Sequence, residues 1–326
     1  MRHINFFSKI EYQEIADVFG LGNIKKIEHF KQGLAAPKAL VKTTNGSYVI
    51  AKYKIGKGEN FKNKPRKSIL HEINLLTSLK DLPVPKYLAY KDGKRLLDFK
   101  GFGVTVYKYL DGHITNTINE KKAFALGNFL GGFQRQKKRF RGKFADRYKF
   151  YDFSISRMKF MKPYAYNQTH KELKAVVKEV ERGVILNRLG KNLPRGPIHV
   201  DIKSDNELFR GDKLTGIIDF GNFYIGPLIL DVGKAIVFNC VKRGKLDGKL
   251  VRSFLRGYEK QRLLKRQEIN YLKKSILYSI YSHIWLDLYH VPLKLVPETH
   301  TLYFVRAFLP AIRDLDKNEN FIAEIL

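Results

Sequence analysis

The sequence predicts an α+β chain in two lobes, a small antiparallel-sheet lobe over residues 1–110 and a larger, mainly helical lobe over 111–326. Three observations carry that prediction. Extended apolar runs broken by turn residues fill most of the first 110 positions. After Asp111-Gly112 the apolar spacing turns helical. One compact loop-and-strand region then interrupts the helices at 196–233.

The elements follow in order. Residues 10–20 read as a short helix, with Ile15, Val18 and Phe19 at helical spacing. Ile24, Ile27 and Phe30 have strand character, and residues 39–42 are extended. Thr44-Asn45-Gly46-Ser47 is a hairpin turn, because Asn-Gly tolerates positive φ. The next strand is Tyr48-Val49-Ile50-Ala51-Lys52-Tyr53. A helix is expected from Arg66 to Leu79, stopped by Leu82-Pro83-Val84-Pro85. Strands are expected at 87–90, 95–98 and 104–109, with Asp92-Gly93 as a turn and a connector at 107–112. Helical patterns occupy 119–139 and 170–189 and resume after 233, including 249–258. The chain shows no internal repeat and no low-complexity tract.

Composition narrows the function classes. With 326 residues, 44% hydrophobic and 28% charged, the chain has the make-up of an ordered globule, which excludes a disordered or fibrous protein. Sixty-one Lys+Arg against 31 Asp+Glu leave a charge of +30, spread along the chain rather than bunched in a tail. Such an excess suits phosphate-bearing ligands. No clustered basic stripe interleaved with aromatics marks a nucleic-acid surface. The single cysteine, Cys240, excludes an intrachain disulfide or a multi-thiolate metal site and reads as a buried filler. No signal peptide and no span of about 18 apolar residues is present, so a cytoplasmic protein without membrane contact is expected. The oligomeric state stays open, with a monomer favoured.

The chemistry concentrates in His199-Val200-Asp201-Ile202-Lys203-Ser204-Asp205-Asn206, with Asp219-Phe220-Gly221 closing a strand thirteen residues beyond Asn206. Phosphoryl transfer from ATP needs an oriented acceptor hydroxyl and oxygen ligands for Mg²⁺. An Asp, an Asn five residues on and a second Asp after a short strand supply them, in the H-x-D-x-x-x-x-N…D-F-G pattern of kinases. Asp201 is the expected base, Asn206 and Asp219 the expected metal ligands, and His199 a positioned structural residue. Lys203 either touches the transferring phosphate or is solvated.

Upstream, Val49-Ile50-Ala51-Lys52 matches the strand that offers a lysine to ATP phosphates, with Lys54 as its rival. Glu72 lies on the apolar stripe of its helix, so it needs a cation, and Lys52 is the expected partner. The stretch Gln32-Gly33-Leu34-Ala35-Ala36-Pro37-Lys38 supplies one glycine, Gly33, for a phosphate-wrapping loop. Tyr107 and Tyr109 sit where a hinge would meet the adenine. Residues 1–110 are thus the expected nucleotide-binding lobe and 111–326 the catalytic and substrate-binding lobe.

No A-P-E segment follows Gly221, which argues against a polypeptide substrate. Instead Asn222-Phe223-Tyr224-Ile225-Gly226-Pro227 leads into Leu230-Asp231-Val232-Gly233. This stretch resembles the aminoglycoside phosphotransferase and choline kinase superfamily, of protein-kinase-like fold. The resemblance implies that Asp231 braces the catalytic loop. Within that superfamily the chain is most similar to bacterial homoserine kinases of the phosphotransferase type, on Phe19-Gly20-Leu21-Gly22-Asn23-Ile24, Leu82-Pro83-Val84-Pro85, Leu193-Pro194-Arg195-Gly196-Pro197-Ile198-His199 and the run from Gly211 to Phe220. It departs from them at Ala35-Ala36-Pro37-Lys38 and in the stretch after Asp219.

The resulting expectation is an ATP- and Mg²⁺-dependent kinase for the hydroxyl of a small molecule, homoserine first. An aminoglycoside, choline or sugar-amine kinase is the alternative, and an inactive kinase-fold protein binding nucleic acid is the alternative of a different class. Asn222, Tyr224, His283 and Asp287 are candidate acceptor contacts, and Tyr281 and Trp285 are expected in the core.

Overall fold

The computed structural model describes residues 6–30, 36–57 and 63–326. The chain separates into two compact units, Met1–Gly112 with Thr215–Gly221, and His113–Leu214 with Asn222–Leu326. Residues 215–221 therefore leave the helical part of the sequence for the first unit. One bond that ties them there runs from the Ile217 N–H to the Pro83 carbonyl, at 2.8 Å.

In the first unit, α1 (Lys9–Val18) starts at Ser8 with a capping box, in which the Ser8 hydroxyl and the Glu11 carboxylate each accept the other residue's N–H. The strands are β1 (Ile24–His29), β2 (Lys38–Thr43), β3 (Gly46–Tyr53), β4 (Leu97–Phe99) and β5 (Phe102–Lys108), and α2 (Arg66–Ser78) lies between β3 and β4. They form one antiparallel sheet in the order β1-β2-β3-β5-β4. Thr43 pairs with Gly46, so Thr44-Asn45 are the two turn residues and Gly46 opens the return strand at φ 142°. The strand expected at 87–90 reduces to a single bridge, Tyr87 to Tyr107. A 3-10 turn over Lys91–Gly93 follows it closely, and prolines 83 and 85 precede it.

Strand alternation gives this sheet two different faces. One face presents Ala39, Val41, Ile50, Val104 and Val106 to Phe7, Tyr12, Ile15, Ala16 and Leu21, an apolar core under α1. The other presents Lys38, Leu40, Val49, Ala51, Tyr53, Thr105 and Tyr107, and it carries the polar groups described below.

The second unit holds β6 (His113–Ile114), α3 (Glu120–Arg135), α4 (Ile155–Tyr166), α5 (Lys171–Leu186), β7 (Arg195–Ile198) and β8 (Glu207–Arg210). Next come β9 (Lys213–Ile217), whose end belongs to the first unit, then β10 (Tyr224–Pro227), α6 (Leu228–Cys240), β11 (Val241–Lys242) and β12 (Lys245–Leu246). The chain closes with α7 (Gly248–Glu259), α8 (Arg266–Asn270), α9 (Leu272–His290), α10 (Glu298–Lys317) and α11 (Phe321–Ile325). α4 carries no clear apolar stripe, since Ile155, Phe160, Tyr164 and Tyr166 are exposed, and its start is set by Ser154 accepting the Arg157 N–H. α9 is the central helix, buried nearly all round, with Trp285 and Tyr281 in the core. Cys240 is fully buried, as its apolar setting suggests, and burial pushes its thiol up. Among the described residues no helix is long and apolar enough to cross a membrane.

α3 and α7 cross at backbone contact, which glycine alone permits. A Cβ on Gly127 would lie 1.9 Å from the Phe254 carbonyl oxygen, and one on Gly257 would lie 2.1 Å from that of Phe124. Neither backbone can yield without separating the helices. Gly127→Ala is therefore expected to destabilise the chain by about 1–3 kcal/mol, the cost of overpacking. Urea unfolding measures it, and an unchanged midpoint would mean that the crossing is looser than described.

Candidate active site

The loop after β7 is held by one buried carboxylate. β7 pairs antiparallel with β10, and the chain then enters α6, whose first turn carries Asp231. Asp231 Oδ2 accepts the His199 N–H and Oδ1 accepts the Val200 N–H, both at 2.6 Å. Two short charge-assisted bonds from successive amides fix the loop where Val200 takes a left-handed φ of 66°. A β-branched residue adopts that conformation only when its surroundings impose it. Burial pushes the Asp231 carboxyl up, against the pull of His199 and the two amides. The His199 ring, fully buried, accepts the Asp201 N–H on Nδ1 at 3.2 Å.

Asp201 is fixed from both sides. Asn206 Nδ2 donates to the Asp201 carbonyl at 2.8 Å and to its Oδ2 at 3.2 Å. Lys203 Nζ lies 3.2 Å from Oδ1. Burial lowers the Lys203 pKa, but Asp201 outweighs it and the net shift is upward. Asn239 on α6 locks the loop to that helix, its Nδ2 donating to the Ile202 carbonyl at 3.3 Å and to Glu207 Oε1 at 2.8 Å. Asp205 points to solvent, as a turn residue does.

In the first unit the candidate groups gather on the sheet face opposite the α1 core. Glu72 of α2 is buried and accepts Lys64 Nζ at 2.9 Å and the Tyr87 hydroxyl at 2.8 Å. Burial opposes its charge, yet Lys64 holds the carboxyl below its ordinary value. Asp219 takes a left-handed φ of 64°. A Cβ on Gly221 would lie 3.0 Å from Lys64 Nζ, 3.3 Å from Asp219 Oδ1 and 3.9 Å from Glu72 Oε2, so all three groups surround one spot. Lys38 feels burial first, then Asp219, Tyr107, Tyr53 and Glu72, and the acidic neighbours prevail to raise its pKa.

The expected Lys52–Glu72 pair is corrected. Lys52 shares the parity of Ile50, and Ile50 faces the α1 core. Its Nζ lies 4.2 Å from the Phe7 ring centroid and 4.1 Å from that of Phe102, and burial lowers its pKa. Tyr53, one position on, is the β3 side chain on the Glu72 side, with its ring 5.5 Å from Lys64 Nζ. Lysines from β2 and from the segment before α2 thus stand where β3 was expected to supply one. Lys54 is exposed just past β3. Tyr107 lies on the same inner face, edge-on to Tyr87 at 5.6 Å, and the N–H of the half-buried Tyr109 donates to the Ser47 carbonyl at 2.9 Å. Gly33 lies outside the described residues.

The second unit also contains a polar cluster of which sequence reading found only part. His283 and Asp287 are buried on α9, and His300 of α10 joins them, its Nε2 3.7 Å from Asp287 Oδ2. Lys234, fully buried on α6, was missed along with Lys38, Lys64 and His300. Of these only Lys234 left a sequence trace, a second charge beside Asp231 in the otherwise apolar run of residues 228–238. Asn222 is exposed and Tyr224 is buried.

A family model described as phosphotransferase enzyme family matches residues 26–268. The chain is similar to homoserine kinase of Methylobacillus flagellatus, 26% identical over 77% of this chain and 75% of that protein. It is similar to homoserine kinase of Neisseria meningitidis serogroup B at 26% identity, over 78% and 79%. Among solved structures, an amicoumacin kinase in complex with AMP-PNP, Ca²⁺ and Ami superposes at TM-score 0.67 and 14% identity, covering 97% of this chain and 95% of that one. A microcompartment-associated aminopropanol kinase superposes equally well, at TM-score 0.67 and 14% identity, over 97% and 99%. The architecture is that of the kinase-like fold.

Glu207, next to Asn206, provides a pH test of this loop. Burial pushes its carboxyl from 4.5 to about 8. The folded chain then keeps a proton that the unfolded chain has released, so this stabilising contribution is complete below about pH 4.5 and is lost as pH rises toward 8. In Glu207→Gln that decline should flatten, as measured by urea unfolding at a series of pH values. A decline as steep as in the parent chain would show that Glu207 is ionised in the fold.

Proposed function

The chain belongs to the phosphotransferase enzyme family, a family of kinases, and from that premise we propose an ATP- and Mg²⁺-dependent kinase that phosphorylates the hydroxyl of a small amino acid, homoserine first. The observation that carries this reading is the state of Asp201, a carboxylate anchored through its backbone by His199 and Asn206 on a loop braced by Asp231. An acid so held presents an acceptor oxygen without reorganising.

The residues divide the work. Asp201 orients the acceptor hydroxyl and takes its proton as the oxygen bonds to the γ-phosphorus and the bond to the β-phosphate oxygen breaks, releasing ADP. Lys203 reaches the transferring phosphoryl group. The donor set suits Mg²⁺, a hard cation that prefers oxygen: Asp219 supplies a carboxylate, and Asn206, with its amide nitrogen committed to Asp201, has its carbonyl oxygen left to offer. When bound, the ion would neutralise charge on the phosphates. Lys64, steadied by Glu72, and Lys38 replace Lys52 as the phosphate-binding lysines, and Tyr107 and Tyr109 border the nucleotide base.

Homoserine leads because curated relatives over three quarters of the chain carry that name. The amicoumacin and aminopropanol kinases share the fold, and the aminopropanol named for one of them makes amine-bearing alcohols the second reading.

ADP release measured across homoserine, other hydroxy-amino acids, choline and aminoglycosides tests the reading. Asp201→Asn should keep its thermal midpoint and its nucleotide binding while kcat falls by about 10²–10⁴. Near-parental turnover would remove Asp201 from the base role. Salt-sensitive retention of nucleic acid without ADP release from any acceptor would favour the non-enzymatic alternative.

The lysines are tested separately. Lys38→Met and Lys64→Met should each raise KM for ATP by about tenfold or more, the loss of a charge-assisted contact. Lys52→Met should leave it near the parental value. A KM increase confined to Lys52→Met would restore the strand lysine to the phosphates.

A further inference from the structure

Within the second unit, three helices direct unsatisfied charge toward one another next to the Asp201 loop. α6 carries Asp231 and, one turn on, Lys234. α9 carries His283 and Asp287, and α10 carries His300 and Phe304, each pair four residues apart and so on one face. Asp287 Oδ2 lies 3.8 Å from His283 Nε2 and 3.7 Å from His300 Nε2, and the three groups lie within 4.8 Å of one another. His283 Nδ1 is hydrogen-bonded to the Tyr151 hydroxyl at 3.1 Å, and Nε2 faces Asp287. Lys234 Nζ stands on the face of the same Tyr151 ring, 3.6 Å from its centroid. The Phe304 ring, 4.1 Å from His283 and 5.0 Å from His300, has Lys203 Nζ 5.9 Å from its centroid, and Lys203 is the partner of Asp201.

The state of these groups indicates a ligand rather than a packed core. Lys234 Nζ, His283 Nε2 and Asp287 Oδ2 are all buried and none has a hydrogen-bond partner. Lys234 is fully buried, and His283 and Asp287 are 5% exposed. Buried orphan groups of this kind cost free energy that packing does not return. They are also of opposite sign, an ammonium over the Tyr151 ring and a carboxylate beside two imidazoles. Burial lowers the Lys234 pKa to about 7 and raises that of Asp287 to about 7. Burial and the two lysines also keep His283 well below its ordinary value, so its ring is neutral beside Asp287.

On the reading of the chain as a small-molecule kinase, we propose that this cluster is the acceptor subsite and that it selects a zwitterion: Asp287 with His283 and His300 receives the acceptor's ammonium, and Lys234 receives its carboxylate. An ammonium has three N–H donors, and the triad offers a carboxylate together with two imidazoles, each with one acceptor nitrogen when neutral. A divalent metal would use the same three atoms, but Lys203 and Lys234 are both close enough to act on Asp287, and they oppose a doubly charged cation.

Three probes of matched length separate the two ends: L-homoserine, 3-amino-1-propanol without the carboxylate, and 4-hydroxybutyrate without the ammonium. Calorimetric binding to the full chain is measured beside ADP release, so binding is scored whether or not turnover occurs. Asp287→Asn should weaken L-homoserine and aminopropanol by about 30-fold or more and leave hydroxybutyrate unchanged. Lys234→Met should weaken L-homoserine and hydroxybutyrate to a similar degree and spare aminopropanol. KM should rise with kcat much less affected, which a merely structural loss would not produce. L-homoserine binding within twofold of the parental value in both variants would overturn the proposal. So would stoichiometric Zn²⁺ binding to chelator-treated protein that His300→Ala abolishes, since the triad would then be a metal centre. ADP release with choline or aminoglycosides but no binding of any of the three probes would sink the subsite and leave the kinase reading intact. Binding of L-homoserine with the expected pattern but no ADP release would keep the subsite and sink the kinase reading.

Discussion

The bonds from the His199 and Val200 amides to the Asp231 carboxylate are the constraint on which the catalytic loop depends. They satisfy two backbone donors that would otherwise be orphaned in the core, and they hold Val200 in a conformation that a valine does not adopt unaided. Everything functional in the loop is placed relative to that anchor. His199 carries the Asp201 backbone, Asn206 carries both the Asp201 backbone and its side chain, and Asn239 ties the far end of the loop back to α6. The helix that bears the brace also bears Lys234 one turn later. One element thus positions the loop and extends a charge beyond it.

The first unit solves a different problem, holding charges of different kinds on the two faces of a thin sheet. Its α1 face is an apolar core into which Lys52 sends an aliphatic stem, with its ammonium over two rings. Its other face carries Lys38, and beside Glu72 an ion pair with a tyrosine hydroxyl as second donor. A buried carboxylate with two donors is tolerable where a bare one is not. Glycine at 221 keeps a side chain away from the three charged groups there.

The motif residues of the loop were legible because their chemistry is local. The interval from Asp201 to Asn206 is short, and the loop geometry closes within it. The sheet, its hairpin and the long helices were legible through periodicity and turn residues. α4 was not, because its exposed aromatics leave no stripe to read. Lys52 was misassigned for a specific reason. Alternation correctly put it with Ile50, but it cannot tell which face of a strand buried on both sides meets the core helix and which meets Glu72.

By itself the sequence determined the order of elements, the identity of the loop residues and the excess of positive charge, because each depends on neighbours within a few positions of the chain. Tertiary packing decided which lysine meets Glu72. It also decided that residues 215–221 join the first unit, and that a buried aspartate and histidine of α9 meet a half-buried histidine of α10. The last two rest on contacts between residues distant along the chain; the first joins residues only eight positions apart, yet spacing alone does not single Lys64 out as the partner of Glu72.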